Sequence, residues 1–233
     1  MAEITEEMNI RYFSSVAAKK VDWLWYPYIP CGRITIVQGD PGDGKTTFVL
    51  NIAALLSTGQ AMPASDIPVP PQSVIYQSTE DGLADTVKPR LIDAGADCSR
   101  IAFIDDLKER LTLDDGRIEY SVIKTEAKML VLDPLQAFIG KDSDLHRAND
   151  IRPLLHKLSD VAERTNCAIV IIGHMNKAAG AKGLYRGLGS IDITAAARSV
   201  LLVGRLRDEP TIRVMTQLLC SSFQNADDVN KVA

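Results

Sequence analysis

Eight consecutive residues, Gly39-Asp40-Pro41-Gly42-Asp43-Gly44-Lys45-Thr46, fit the pattern G-x-x-x-x-G-K-[ST] at every fixed position. Each residue type has a chemical reason to be there. The glycines let the backbone wrap with its N–H groups turned inward, a cradle for phosphate oxygens, and a helix starting behind the loop adds the positive end of its dipole. Lys45 can reach the β- and γ-phosphates, and the Thr46 hydroxyl can ligate Mg²⁺. The loop, with Thr47 in the first helical turn, is therefore the candidate nucleotide-binding set, and ATP and Mg²⁺ are the expected cofactors. Further along, the apolar run Met129-Leu130-Val131-Leu132 ends in Asp133, a carboxylate placed to hold the metal through water. Pro134 rather than an acid follows it, so a catalytic base has to come from elsewhere. Thr79-Glu80-Asp81-Gly82 offers two acids.

These residues need strands and helices to bring them together. Residues 33–38 read as a short β-branched strand that runs into the Gly-rich turn, and residues 45–56 as the helix behind it, stopped by Gly59. Four prolines make 62–72 a loop. Strands are expected at 73–78, 100–104, 128–133, 168–172 and 199–203. Helices are expected at 83–94, at 118–127 and from a polar loop at 140–149 through Arg164. Continuously apolar strands alternating with amphipathic helices define an α/β fold, a mostly parallel sheet with helices on both faces.

The 233 residues are 46% hydrophobic and 24% charged, enough for one large core and against wholesale disorder. No apolar run approaches the ~18 residues of a membrane helix, so no membrane is expected as a partner. Residues 1–7 lack the basic and apolar regions of a signal peptide. Four scattered cysteines without a C-x-x-C pair read as reduced thiols, and a cytoplasmic protein is expected. A net charge of −4 argues against a surface that coats nucleic acid as a whole. The charges are uneven, though: positions 79–120 hold eleven acidic and six basic residues, and 174–213 hold seven basic and three acidic. Three regions are expected: an aromatic arm at 1–30 that packs on its own or a neighbouring core, an ATPase domain at 31–215, and a polar tail at 216–233.

In these motifs the chain resembles the RecA-like P-loop ATPases, and within them the RepA-type hexameric replicative helicases and their mobile-element relatives. The likeness covers roughly residues 20–205 and includes Gly173-His174-Met175-Asn176-Lys177 and Arg186-Gly187-Leu188-Gly189-Ser190 running on to Arg198. It implies that Glu80 polarises the attacking water, with Asp81 as the alternative base. It also implies that His174 senses the γ-phosphate and that Arg198 is an arginine finger acting across a subunit boundary. Where these helicases often carry His-His, this chain has Gly173-His174. Lys177 and Arg186 would reach the subunit interface or the central pore. The loops 140–149 and 175–186 would face single-stranded DNA in a homo-oligomeric, hexameric ring. The function implied is an ATP-driven helicase of plasmid or phage-type replication. A recombination or repair ATPase, or a regulatory one that clamps DNA or a protein partner without unwinding, has the same motifs.

Overall fold

The computed structural model describes residues 12–140, 148–174, 191–206 and 208–220, without the side chains of 148, 149, 174, 191 and 192. A small antiparallel hairpin, β1 (Trp23–Trp25) and β2 (Ile29–Pro30), precedes a seven-stranded sheet. That sheet contains β3 (Ile34–Gly39), β4 (Val74–Ser78), β5 (Ile101–Ala102), β6 (Met129–Asp133), β7 (Ala168–His174), β8 (Ser199–Arg205) and β9 (Arg213–Cys220), in the order β5-β4-β6-β7-β3-β8-β9. All neighbours run parallel except β8 and β9. The helices are α1 (Lys45–Thr58), α2 (Lys88–Asp93), α3 (Gly116–Thr125), α4 (Ala148–Thr165) and α5 (Ile191–Ala196).

Two apolar clusters lie on the two faces of the sheet, and the strand pleat divides the residues between them. Along β6, Leu130 and Leu132 join one cluster, with Phe138, Leu155 and Leu158. Met129 and Val131 join the other, with Leu50, Ala53 and Trp25. Both faces are covered, which is why these strands read as unbroken apolar runs. Trp25 and Ile29 belong to the second cluster, so the aromatic segment packs on its own chain.

Several boundaries differ from the sequence expectation, each for a local reason. The helix expected at 83–94 is split into a π-helical turn, Leu83–Val87, and α2. Pro89 lies in the first turn of α2, where a missing N–H costs nothing. The strand expected at 100–104 shrinks to Ile101–Ala102 because the Gln77 side chain takes over the backbone of Ile104. Its Nε2 donates to Ile104 O at 3.1 Å, and its Oε1 accepts from Ile104 N at 2.9 Å. The helix expected from Ile118 begins at Gly116, because Asp115 caps it by accepting from Arg117 N at 2.8 Å. Cys31, Cys98 and Cys167 form no disulfide. Burial raises the Cys167 thiol to about 12 and the Cys31 thiol to about 11, which keeps both protonated at neutral pH.

The ordered core continues past residue 215. β9 pairs with β8 from Arg213 to Cys220, and Gln217 Nε2 donates to Pro27 O and Ser199 Oγ at 3.0 Å each. A chain ending at residue 215 is expected to melt at least about 5 °C below one ending at residue 220, because it strips the β8 edge and unties the hairpin. Thermal melts of the two truncations check this.

Candidate functional site

The site is assembled at the carboxyl edge of the sheet. β3 ends at Gly39, in register with His174 at the end of β7, and Asp133 at the end of β6 stands opposite Ser78 of β4. Thr79 N donates to Asp133 O at 3.2 Å, which pins the acidic loop after β4 to the same edge.

The phosphate loop depends on two of its glycines for different reasons. A side chain at Gly39 would run into the Val203 carbonyl of β8. Gly44 has φ +92, a left-handed conformation at the start of α1 that other residues adopt only with strain. The first turn of α1 carries no acidic residue, so its N–H groups and dipole remain for an anion. Lys45 is buried, and its Nζ donates to Gly39 O and Asp40 O, both at 3.0 Å. Burial lowers the pKa of its ammonium, and the nearby carboxylates of Asp43, Asp133, Asp40 and Glu80 oppose the shift.

Thr46 and Asp133 meet as expected: Thr46 Oγ1 donates to Asp133 Oδ2 at 2.9 Å. Tyr76 OH donates to the same oxygen at 2.7 Å, from the buried middle of β4. Burial raises the Asp133 pKa, and the hydrogen bonds from Tyr76 and Thr46 work against that rise. The Tyr76 phenol is pushed upward by its own burial and by Asp133. Hydroxyl and carboxylate oxygens at this spacing suit a hard divalent cation.

The two acids after β4 are in different situations. Asp81 is tied to Arg90, whose Nη1 donates to its Oδ2 at 2.8 Å. Glu80 is exposed and lies close enough for its charge to act on both Lys45 and Asp133. Arg198 is at the other end of the sheet. Its N donates to Ile34 O at 2.9 Å, where β3 begins, roughly 17 Å along the strand from Gly39 at ~3.3 Å per residue. It does not reach the phosphate loop of its own chain. The His174 side chain, Lys177, Arg186, the stretch 187–190 and most of the loops at 140–149 and 175–186 lie outside the described residues.

Two arginines that sequence reasoning did not single out lie over the loop instead. Arg205, at the end of β8, donates through Nη2 to Gly42 O and pairs through Nε with Asp43 Oδ1 at 3.2 Å. Arg213, its partner across the β8–β9 ladder, places its Nε 3.5 Å from where a Gly44 Cβ would stand. The signal for Arg205 was the acid inside the phosphate loop. Asp43 would repel phosphate unless a cation answered it.

A phosphate loop at the end of β3, an interior strand of a mostly parallel sheet, with a hydroxyl–carboxylate pair beside it, defines a RecA-like P-loop nucleotide-binding fold. The chain belongs to the AAA domain family, whose model matches residues 11–180. It is similar to the DNA repair protein RadA of Helicobacter pylori, 27% identical over 184 residues that are 76% of this chain and 36% of that protein. RadA of Halalkalibacterium halodurans is 26% identical over 148 residues, 63% of this chain and 28% of the relative. The chain thus spans about a third of the length of the curated relatives it matches. In fold it resembles a KaiC-like protein from Pyrococcus horikoshii, with a TM-score of 0.59 at 18% identity over 85% of this chain and 83% of that one. Among the described residues no helix is long and apolar enough to cross a membrane.

Two outcomes follow from this geometry. Arg205→Ala is expected to weaken ATP binding by about threefold to tenfold, a charged hydrogen bond discounted for exposure. Adding Asp43→Ala should restore most of the loss if Arg205 acts by neutralising that acid; calorimetric titration of the single and double variants checks it. The second concerns pH. Burial raises the Asp133 pKa, so its carboxyl takes up a proton at higher pH than an ordinary aspartate, and Mg²⁺-dependent ATP binding should fall off above the usual aspartate range. Tyr76→Phe removes a contribution that lowers the Asp133 pKa. Binding curves from neutral to acid pH should therefore fall off earlier in that variant, at a stability cost of about 1 kcal/mol.

Proposed function

We propose that the chain is a Mg²⁺-dependent ATPase whose turnover is coupled to single-stranded DNA. The observation that carries the reading is the convergence of Thr46 and Asp133 at 2.9 Å beside the buried Lys45, at the mouth of an acid-free helix N-terminus. Thr46 and Asp133 would hold Mg²⁺, which when bound supplies positive charge to the β- and γ-phosphates. Lys45 exchanges its two carbonyl partners for phosphate oxygens. The loop amides and the α1 dipole hold the triphosphate in place, and catalysis is mostly positioning plus charge stabilisation. Glu80, exposed at the same edge, orients the attacking water and takes up its proton. His174, whose backbone stands opposite Gly39, is assigned to sensing the γ-phosphate. Arg198, too distant from its own loop, is assigned to the nucleotide of a neighbouring subunit in a ring, hexameric in the replicative helicases of the RepA type.

A second reading has its own support. The likeness to proteins titled DNA repair protein RadA favours a repair or recombination ATPase that uses ATP to hold DNA without extended unwinding. A forked-duplex unwinding assay separates the two: strand separation supports the helicase, and DNA-stimulated turnover without it supports the repair ATPase.

Glu80→Gln is expected to lower kcat by about 10²- to 10⁴-fold while ATP binding persists. ATP turnover with and without single-stranded DNA checks it; turnover indifferent to both the variant and DNA overturns the assignment. Specific activity should rise with protein concentration if Arg198 serves a neighbour, and a flat line rejects that role.

A further inference from the structure

A cavity of about 380 Å³ lies between the π-helical turn, α2 and the β5 edge of the sheet, and the chemistry above makes no use of it. Its size falls within the roughly 300–1,000 Å³ of small-molecule sites. Leu83 and Val87 of the turn, Leu91 of α2, Ile101 of β5 and Phe103 just beyond it give apolar walls. These walls are open to solvent in part: Leu83 and Ile101 are half-buried, and Phe103 is 56% exposed. Lys88, the first residue of α2, is exposed and is the one charged side chain among the described residues that line the cavity.

The cavity is joined to the metal site through two connections. Tyr76 borders it, and the hydroxyl of the same residue donates to Asp133 Oδ2 at 2.7 Å. The turn that walls it hangs on Gly82, directly after Glu80 and Asp81: Thr86 N and Val87 N both donate to Gly82 O, at 3.1 and 3.0 Å. Arg90 of α2 holds Asp81 at 2.8 Å. A ligand that parts the turn from β5 therefore acts on Tyr76 and on the acidic loop together. Apolar walls take an alkyl or aryl body, and a lone exposed ammonium selects a negative head group. We propose that this cavity is a regulatory site for a small amphipathic anion, an aliphatic or aromatic carboxylate, whose binding weakens Mg·ATP by moving the Tyr76 hydroxyl off Asp133. Without that hydrogen bond the Asp133 carboxyl is harder to ionise and holds Mg²⁺ less well. The anion seat is independent of the ATP reading; its regulatory effect rests on Thr46 and Asp133 serving a bound Mg·ATP.

Decanoate is the probe, with decanol and decylamine as neutral and cationic controls of the same chain length. Displacement of the fluorescent dye anilinonaphthalene sulfonate reads the binding. The proposal expects saturable displacement by decanoate and weaker displacement by both controls. Lys88→Glu reverses the order, weakening decanoate by about threefold to tenfold and favouring decylamine. Saturating decanoate weakens Mg·ATP at least about fivefold by calorimetry, and Mg·ATP weakens decanoate by the same factor. In Tyr76→Phe decanoate binds as before and the coupling is lost, because no hydroxyl remains to be moved. Equal binding of decanoate and decanol, with no response to Lys88→Glu, overturns the anion seat. Bright dye that decanoate does not displace also overturns it, and marks the face for a protein partner instead. Decanoate binding that leaves Mg·ATP affinity unchanged overturns the regulatory role. If the unaltered chain binds no Mg·ATP, the ATP reading falls and the regulatory role with it, while dye displacement still decides the seat.

Discussion

Asp133 is a carboxylate that burial opposes and that two hydroxyl groups from different elements hold. Thr46 comes from the helix behind the phosphate loop and Tyr76 from the strand next door, and both donate to Oδ2. One oxygen thus ties α1, β4 and β6 into a fixed triangle at the sheet edge. Its position depends on register. A slip of β6 by one residue would turn Asp133 to the opposite face and bring an apolar neighbour to Thr46. The two apolar clusters prevent the slip, because alternate residues of β6 are committed to opposite faces.

The loop itself is held by contacts that a ligand can replace. Lys45 rests on two backbone carbonyls, Asp43 Oδ2 accepts from Asp40 N at 3.1 Å, and Arg205 answers Asp43 from β8. An anion entering the loop competes with Asp43 for the same positive surroundings. The edge hairpin β8–β9 is thereby coupled to the nucleotide site through two guanidinium groups.

Much of this was legible in the sequence because the determinants are local. A fixed spacing of glycines, lysine and threonine marks the loop, and a continuous apolar run ending in an acid marks β6. What was not legible depends on partners far apart in the chain. Gln77 replaces strand pairing at Ile104, 27 positions away, and no periodicity records that. Tyr76 reads as one more apolar strand residue until Asp133 is placed beside it. Arg205 and Arg213 fall in the basic stretch 174–213, but only the antiparallel return of β9 brings Arg213 over the loop, and β9 mixes exposed and half-buried residues without clean alternation. Arg198 immediately precedes β8 and Arg205 ends it, so the fold decides which of them faces this chain's own loop.

The central claim is that Thr46 and Asp133 act as one divalent-cation site for a bound triphosphate. Calorimetric titration of ATP with and without Mg²⁺, on the unaltered chain, Thr46→Ala, Asp133→Asn and the double variant, tests it most directly. The account predicts a Mg²⁺-dependent gain in affinity that either single variant abolishes and the double variant reduces no further. A gain that survives Asp133→Asn would contradict it.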